Sequence, residues 1–542
     1  MRVNPEVLMK RATFLLLLIV LVLAVFAAKF RHLTDANAVD YAQLARNVAE
    51  GKGYTTSVLS PLAFSLVRNP DTFPELARAP VHATLLAAAI RLGGATDRTV
   101  ALASLFCFVL VLLLAYFICL RYFTGRVAIY SCLMLVASVP LLQASMSGLD
   151  TLLVAFWVLC LFGLMCWWER SEGKQALLWP IATGVVLALC YLTRYEMLPL
   201  LPCVFYYWWR VDRQRLGRRC LLTLVVFVVL VAPWVIRSSV IVKGPFISTA
   251  SYELIMLTPT YPGQRLYQAF RDVPPKPWLV AAQHPREMLA KVNRGLTGFY
   301  VGFVGLVGLC TLPFFLIGLL RRDTPQQTAL PWSMFIAILL VAGVLALYTP
   351  DPQMLLAFAP VIIILGTHWF TTLVAERFAG PAPTDHQGTL AKLLSRRLRR
   401  WGPESTNRLF VQAWLVGWFL LAAYPMLNYL FVADPAPEHP VVPTCKALAG
   451  EEPELIATDI PWMVAWYGNK RVVHLPNGFD ELTAMGQAGL RVDGLYFSPN
   501  VRVQEATLAG FERSASWIDR WPKDPDTGQS RAPGMVWLLT SQ

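Results

Sequence analysis

"ATFLLLLIVLVLAVFAAKFRHLTDANAVDYAQLARNVAEGKGY", residues 12–54, runs from an apolar stretch straight into a polar, acid-bearing one. Residues 12–28 contain no Asp, Glu, Lys or Arg and approach the ~20 residues a bilayer demands, so they predict a membrane-spanning helix. The part that follows predicts a second, amphipathic helix. Thr34 or Asp35 supplies an N-cap, Tyr41, Leu44, Ala45 and Val48 recur at helical spacing, and Gly51 or Gly53 ends it. Its other face carries Gln43, Arg46, Asn47 and Glu50, the pattern of a helix lying along a membrane surface. Asp40 lies five residues beyond Asp35, about 140° round the helix, so the two acids need not share a face.

The rest of the chain repeats the first half of this pattern. Of 542 residues 56% are hydrophobic and 15% charged, against roughly 25% charged in a soluble domain. Further apolar runs occupy 99–120, 127–143, 151–168, 176–193, 197–209, 220–236, 298–320, 330–348, 354–374 and 409–431. The expected fold is an all-α polytopic membrane protein of about eleven transmembrane helices. An odd count puts the termini on opposite sides, and charge orients them. With a cytoplasmic N-terminus, the inner segments hold 21 of the 47 Lys and Arg and 8 of the 34 acids, so the whole net charge of +13 falls on the inner side. The basic stretches "LSRRLRR" (394–400) and "RVDRQRLGRR" (210–219) then read as anchors beside anionic lipid, which excludes a nucleic-acid partner. The expected location is a plasma (inner) membrane.

Three large pieces face outward: a long first loop, 29–98, a second, 237–297, and a tail, 432–542. Residues 1–431 are read as the transmembrane domain, with 375–408 a basic cytoplasmic linker. In the tail, a Pro-rich linker precedes "ELIATD" (454–459), "IPWMVAWYG" (460–468), "KRVVHLP" (470–476), "DGLYFS" (493–498) and "GMVWLLTS" (534–541), which predict a small α/β domain outside the membrane. "RAPVHATLLAAAIRLGG" (78–94) is read as a juxtamembrane helix or a short tilted span. Nine of ten cysteines lie in or at the ends of apolar runs, so no outer disulfide framework is expected.

Within the spans only His368 titrates near neutrality. The other ionisable groups gather at the outer mouths: Asp35 and Asp40, Arg78 and His82, Asp150, Arg194 and Glu196, Arg237 and Lys243. Ion-coupled transport places charge near the midplane, so this distribution argues for chemistry at the outer surface. Each charge taken singly also fits an interface anchor.

The conjunction of an Asp after the first span with "YAQLARNVAEGKGY", then "RAP" before an apolar stretch ending in "GG", "ALCYLTRYEMLPLLP" (188–202), "VAPWVIRSSVIVKGPFIS" and "ATDIPWMVAWYGNKRVVHLP" resembles the membrane-embedded C-type (GT-C fold) glycosyltransferases. The resemblance is to relatives of the dolichyl-phosphate-mannose protein mannosyltransferases and the bacterial aminoarabinose transferases. It implies a long first outer loop with juxtamembrane helices, a polyprenyl-phosphate sugar donor, transfer with inversion at the outer leaflet, and Asp35 as general base. Arg194, Arg237 and Lys243 would face the leaving phosphate. Asp40, Arg78, His82, Asp150 and Glu196 would line the substrate site, with the lipid tail in a groove between spans.

Two features depart from the family. Asp35 is followed by Ala36 rather than a second acid, so no cofactor is expected and a divalent metal is not favoured. Gln353 stands where an Arg is expected. The sugar and the lipid, glycan or protein acceptor are left open. A lipid-linked-glycan flippase or a non-catalytic lipid- or glycan-binding accessory protein are the competing classes.

Overall fold

The structure, a computed structural model, describes residues 5–167, 175–244, 248–308, 310–321, 325–379, 403–434, 437, 439–451, 454–498 and 535–537. Residues 380–402, most of the expected basic linker, lie outside them. The first part of the chain forms helices α1 (Pro5–Lys29), α2 (Ala36–Ala49), α3 (Pro61–Leu66), α4 (Pro80–Gly93), α5 (Asp97–Tyr122), α6 (Gly125–Ala137), α7 (Val139–Ser147) and α8 (Thr151–Trp167). Then come α9 (Gln175–Thr193), α10 (Leu200–Val211), α11 (Leu216–Val242), α12 (Pro277–Gln283), α13 (Pro285–Val307), α14 (Leu312–Leu320), α15 (Pro325–Leu347) and α16 (Ala359–Ala379). Every apolar run marked in the sequence falls on one of these or on the helix Pro403–Phe431.

Among the described residues, six helical stretches are long and apolar enough to cross a membrane: Pro5–Lys29, Asp97–Tyr122, Arg213–Val242, Thr328–Leu347, Pro352–Arg377 and Leu409–Phe431. Two further runs, expected as single straight spans, are bent pairs: α6 with α7, at 64°, and α13 with α14. The breaks have local causes. Ser138 leaves helical geometry just ahead of Pro140, whose ring and missing N–H cannot continue the preceding helix. Gly308, at φ +88°, ends α13 ahead of Pro313. α8, α9 and α10 are shorter apolar helices, and α4 resembles them in length. Burial is deepest in α16, where 83% of an 18-residue window is enclosed by neighbours, against 22% in α1, so α16 is central and α1 peripheral.

The tail carries the expected α/β pattern, with strands at Leu455–Thr458, Arg471–His474, Gly494–Tyr496 and Met535–Trp537 and helices Pro461–Tyr467 and Phe479–Gln487 between them. Its sheet holds one strand that the sequence reading did not place there. β1 (Val58–Leu59), from the first outer loop, pairs in parallel with β3 (Arg471–His474), giving the order β1-β3-β2-β4-β5, where β2, β4 and β5 are Leu455–Thr458, Gly494–Tyr496 and Met535–Trp537. A second core, containing Leu59, Phe64, Phe73, Phe270, Val473 and Leu495, spans both outer loops and the tail. The outer pieces thus pack on one another.

α2 shows the consequence. Its polar face, expected to lie along the membrane surface, is buried: Gln43, Arg46 and Asn47 are all under 9% exposed. Arg46 donates to the carbonyls of Ala465 and Trp466 at 2.7 and 3.0 Å, where a helix C-terminus offers unpaired acceptors. Gln43 accepts from the Ser57 backbone N–H, and Asn47 donates to the Thr55 carbonyl. These side chains are buried because each finds a protein partner in the first loop or the tail.

Candidate active site

α2 begins where the sequence indicated. Asp35 is its N-cap, in extended geometry, with Oδ1 accepting the Asn37 backbone N–H at 2.7 Å, and Gly51 follows the helix at φ +80°. One turn later Asp40 projects toward the segment preceding α4. Arg78 donates to its Oδ2 from Nε at 3.2 Å and from Nη2 at 3.0 Å, and Gln43 donates to its Oδ1 at 3.0 Å. Arg78 also donates to the Asn37 side-chain carbonyl, and its guanidinium lies 4.7 Å from the Tyr41 ring centroid. The α2 acid that meets a cation is therefore Asp40, while Asp35 is engaged as a cap.

The first loop builds a further acid into the same place. Residues 54–56 and 73–75 run side by side, with Thr56 N–H donating to the Phe73 carbonyl and Glu75 N–H to the Tyr54 carbonyl. Arg237, from α11, ties the two segments by donating to the carbonyls of Glu75 and Tyr54 at 3.2 and 2.9 Å, with its guanidinium stacked over the Trp234 and Tyr54 rings. Arg237, expected to face a phosphate, thus braces the loop. Glu75 is 7% exposed, and its Oε1 accepts from the backbone N–H groups of Ala77 and Arg78 at 2.6 and 2.8 Å. Burial, helped by the neighbouring Asp40, raises its carboxyl above the ordinary Glu range. Sequence reasoning missed Glu75, which lies with Asp71 in a Pro-containing loop without periodicity.

A second ion pair also acts on Tyr41. Asp150, in the turn before α8, receives Arg194, from the turn after α9, through Nε at 3.0 Å and through Nη2. The side chains are 4% and 9% exposed. Burial works against ionisation of Asp150, but Arg194 outweighs it and holds the carboxyl below the ordinary Asp range. Arg194 Nη1 is buried without a hydrogen-bond partner among the described residues. His82, on α4, is 1% exposed, meets the Gly148 carbonyl through Nε2 at 3.0 Å and stands edge-on to Tyr41, 4.8 Å between centroids. Glu196 follows Arg194 in the same turn, and burial raises its carboxyl above the ordinary range against the pull of Arg194. Immediately beyond, Leu198, Pro199, Leu201 and Pro202 face Leu340 and Val344 of α15 across an apolar groove of about 410 Å³.

Of the nine residues singled out in the sequence, Asp40, Arg78, His82, Asp150, Arg194 and Glu196 surround Tyr41, whose hydroxyl feels the charges of Asp150, Arg78, Arg194 and Glu196. Arg237 braces the edge and Asp35 caps α2. Lys243 is exposed in left-handed geometry at the end of α11 and makes no contact with the others.

A bundle of apolar helices whose long first loop packs against a C-terminal α/β piece is the fold seen in GT-C glycosyltransferase structures. Residues 77–236 match the dolichyl-phosphate-mannose-protein mannosyltransferase family. ArnT from Cupriavidus metallidurans is similar in structure in the apo state, with a TM-score of 0.56 at 15% identity, covering 94% of this chain and 96% of that one. The same protein bound to undecaprenyl phosphate gives a TM-score of 0.55 at 15% identity, covering 96% and 97%. The oligosaccharyltransferase AglB from Archaeoglobus fulgidus, in complex with an inhibitory peptide and a dolichol-phosphate, gives 0.56 at 12% identity, covering 93% and 71%. No curated protein matches the chain in sequence.

Proposed function

We propose that this protein is a multi-pass membrane glycosyltransferase that moves a hexosyl or pentosyl unit from a polyprenyl-phosphate donor to an acceptor at the outer face of the membrane, with inversion. The observation that carries the reading is Arg194 Nη1, a buried guanidinium N–H without a hydrogen-bond partner among the described residues, a few residues before the segment that lines an apolar groove. A charged donor in that position suits a phosphate oxygen, and the groove suits the first isoprene units of a lipid. Arg78, stacked on Tyr41, is the second cation available to the leaving phosphate. The match at 77–236 and the fold support the reaction class, and the undecaprenyl-phosphate and dolichol-phosphate ligands of the similar structures support the donor class.

In such a reaction the anomeric carbon develops positive charge, the phosphate leaves from one face, and a carboxylate removes the proton of the nucleophile arriving at the other. The family resemblance gives that carboxylate to Asp35. The N-terminus is placed in the cytoplasm and the tail outside, on the charge balance of the loops. The domain division at residue 431 is retained, with β1 joining the outer part.

The test is transfer by the purified protein in lipid, supplied with polyprenyl-phosphate sugars. Arg194→Lys keeps the charge beside Asp150 but loses the planar fork, and is expected to lower kcat/KM for the donor about 100-fold, the scale of removing one preorganised donor. Transfer unchanged by Arg194→Lys would remove the phosphate role. Absence of transfer with every polyprenyl-phosphate sugar would favour a flippase, read by movement of the same lipids across vesicle bilayers.

A further inference from the structure

Three acids of the first outer loop are available for the proton step, and their hydrogen bonds differ. Asp35 gives one oxygen to its own helix and stands half-exposed at the edge. Asp40 has both oxygens taken, Oδ1 by Gln43 and Oδ2 by the Arg78 guanidinium. Glu75 is fixed at one oxygen only. Oε1 is held by two backbone N–H groups, which set the plane of the carboxylate, while Oε2 accepts no hydrogen bond among the described residues and is not sealed from the chamber. Its surroundings come from every side of the site: Asp40 of α2, Tyr54 and Arg78 of the first loop, Tyr195 of the turn after α9, Arg237 of α11 and Tyr267 of the second outer loop.

From this placement we infer that Glu75 is the catalytic residue that takes the acceptor's proton, with Asp40 as the positioning residue that aims Arg78. This rests on the glycosyltransferase reading and deepens it, moving the base from Asp35 to Glu75. In the step, an acceptor O–H or N–H gives its proton to Glu75 Oε2 as its oxygen or nitrogen bonds the anomeric carbon. The bond from that carbon to the phosphate oxygen breaks, and its electron pair leaves on the phosphate beside Arg78 and Arg194. Glu75 ends neutral and loses the proton to water before the next cycle. A carboxylate oriented through one oxygen, with the other free of hydrogen bonds among the described residues, has the geometry a general base requires.

The experiment compares Glu75→Gln, Glu75→Asp and Asp35→Asn in the full-length protein in lipid, with two readouts. One is transfer from a polyprenyl-phosphate sugar, and the other is binding of the unglycosylated polyprenyl phosphate, which checks that the site is still assembled. Glu75→Gln is expected to lose about 100-fold or more in kcat, the usual contribution of a general base, with the Kd for polyprenyl phosphate within about twofold of wild type on the same principle that the group acts in the step and not in donor binding. Glu75→Asp is expected to retain part of the rate, and Asp35→Asn to lose less than Glu75→Gln. Carboxyl infrared difference spectra recorded as pH rises from the ordinary Glu range are expected to contain a protonated-carboxyl band that persists above that range and that Glu75→Gln removes, a readout independent of turnover. Wild-type transfer with Glu75→Gln near the wild-type rate, or a larger loss in Asp35→Asn, overturns the assignment alone. No wild-type transfer with any polyprenyl-phosphate sugar, phosphate binding intact, overturns the reaction and the base with it.

Discussion

The two ion pairs that act on Tyr41 use the same chemistry, a guanidinium on a carboxylate, in different settings. Arg78 and Asp40 are 26% and 22% exposed, whereas Arg194 and Asp150 are 9% and 4% exposed. The first pair links two segments of one loop and shares its partners with Asn37 and Gln43. The second clamps the turn before α8 to the turn after α9 and keeps one N–H unpaired. A partly exposed pair contributes less to stability and can rearrange with substrate, while a buried one is costly to break because it strands a charge. One pair is built to adjust and the other to hold.

The largest expected effect follows from stranding that charge. Asp150→Asn leaves Arg194 buried without its counterion and is expected to cost about 3 to 5 kcal/mol, read as a large fall in the detergent melting temperature. Asp40→Asn should sharpen the contrast. It is expected to cost under about 1 kcal/mol of stability while impairing transfer, because Arg78 loses its aim. A melting-temperature loss as large as that of Asp150→Asn would end the distinction.

The smallest effect is in the pH dependence. Glu75 has its folded pKa raised, so the folded state binds more protons, and its contribution declines as pH rises above the ordinary Glu range. Asp150 is shifted the other way, so its contribution is present above the ordinary Asp range and is lost as pH falls. Melting curves from about pH 4 to about pH 8 should therefore gain for Glu75→Gln, relative to wild type, toward the alkaline end. The deficit of Asp150→Asn should shrink toward the acid end.

Much of this was legible in the sequence because bilayer length and charge are local properties. Each apolar run became helix, and the gathering of Asp40, Arg78, Asp150 and Arg194 at span mouths placed them in one chamber. Pairing was not legible, since Asp40 and Arg78 lie 38 residues apart and Asp150 and Arg194 lie 44 apart, and several partners were possible for each. Asp35 looked like the site acid because it follows the first span directly, yet that position is the one from which a side chain caps α2. Glu75 carried no signal, because its importance comes from two backbone N–H groups and the brace by Arg237. β1 was invisible for a similar reason, as two residues acquire strand geometry only when the tail pairs with them.

That last pairing has a consequence for how the protein is made. Val58 and Val472 are neighbours in one sheet but are synthesised about 400 residues apart, roughly 20 to 80 seconds at ordinary elongation rates. Through that interval the first outer loop has its acids and arginines but lacks the strand neighbour at Arg471–His474 and the carbonyls of Ala465 and Trp466 that anchor Arg46. The surroundings of the first loop are therefore completed by a segment made much later, so a chain interrupted before residue 454 would have its helices and still lack the strand that pairs with β1 and the carbonyls that hold Arg46.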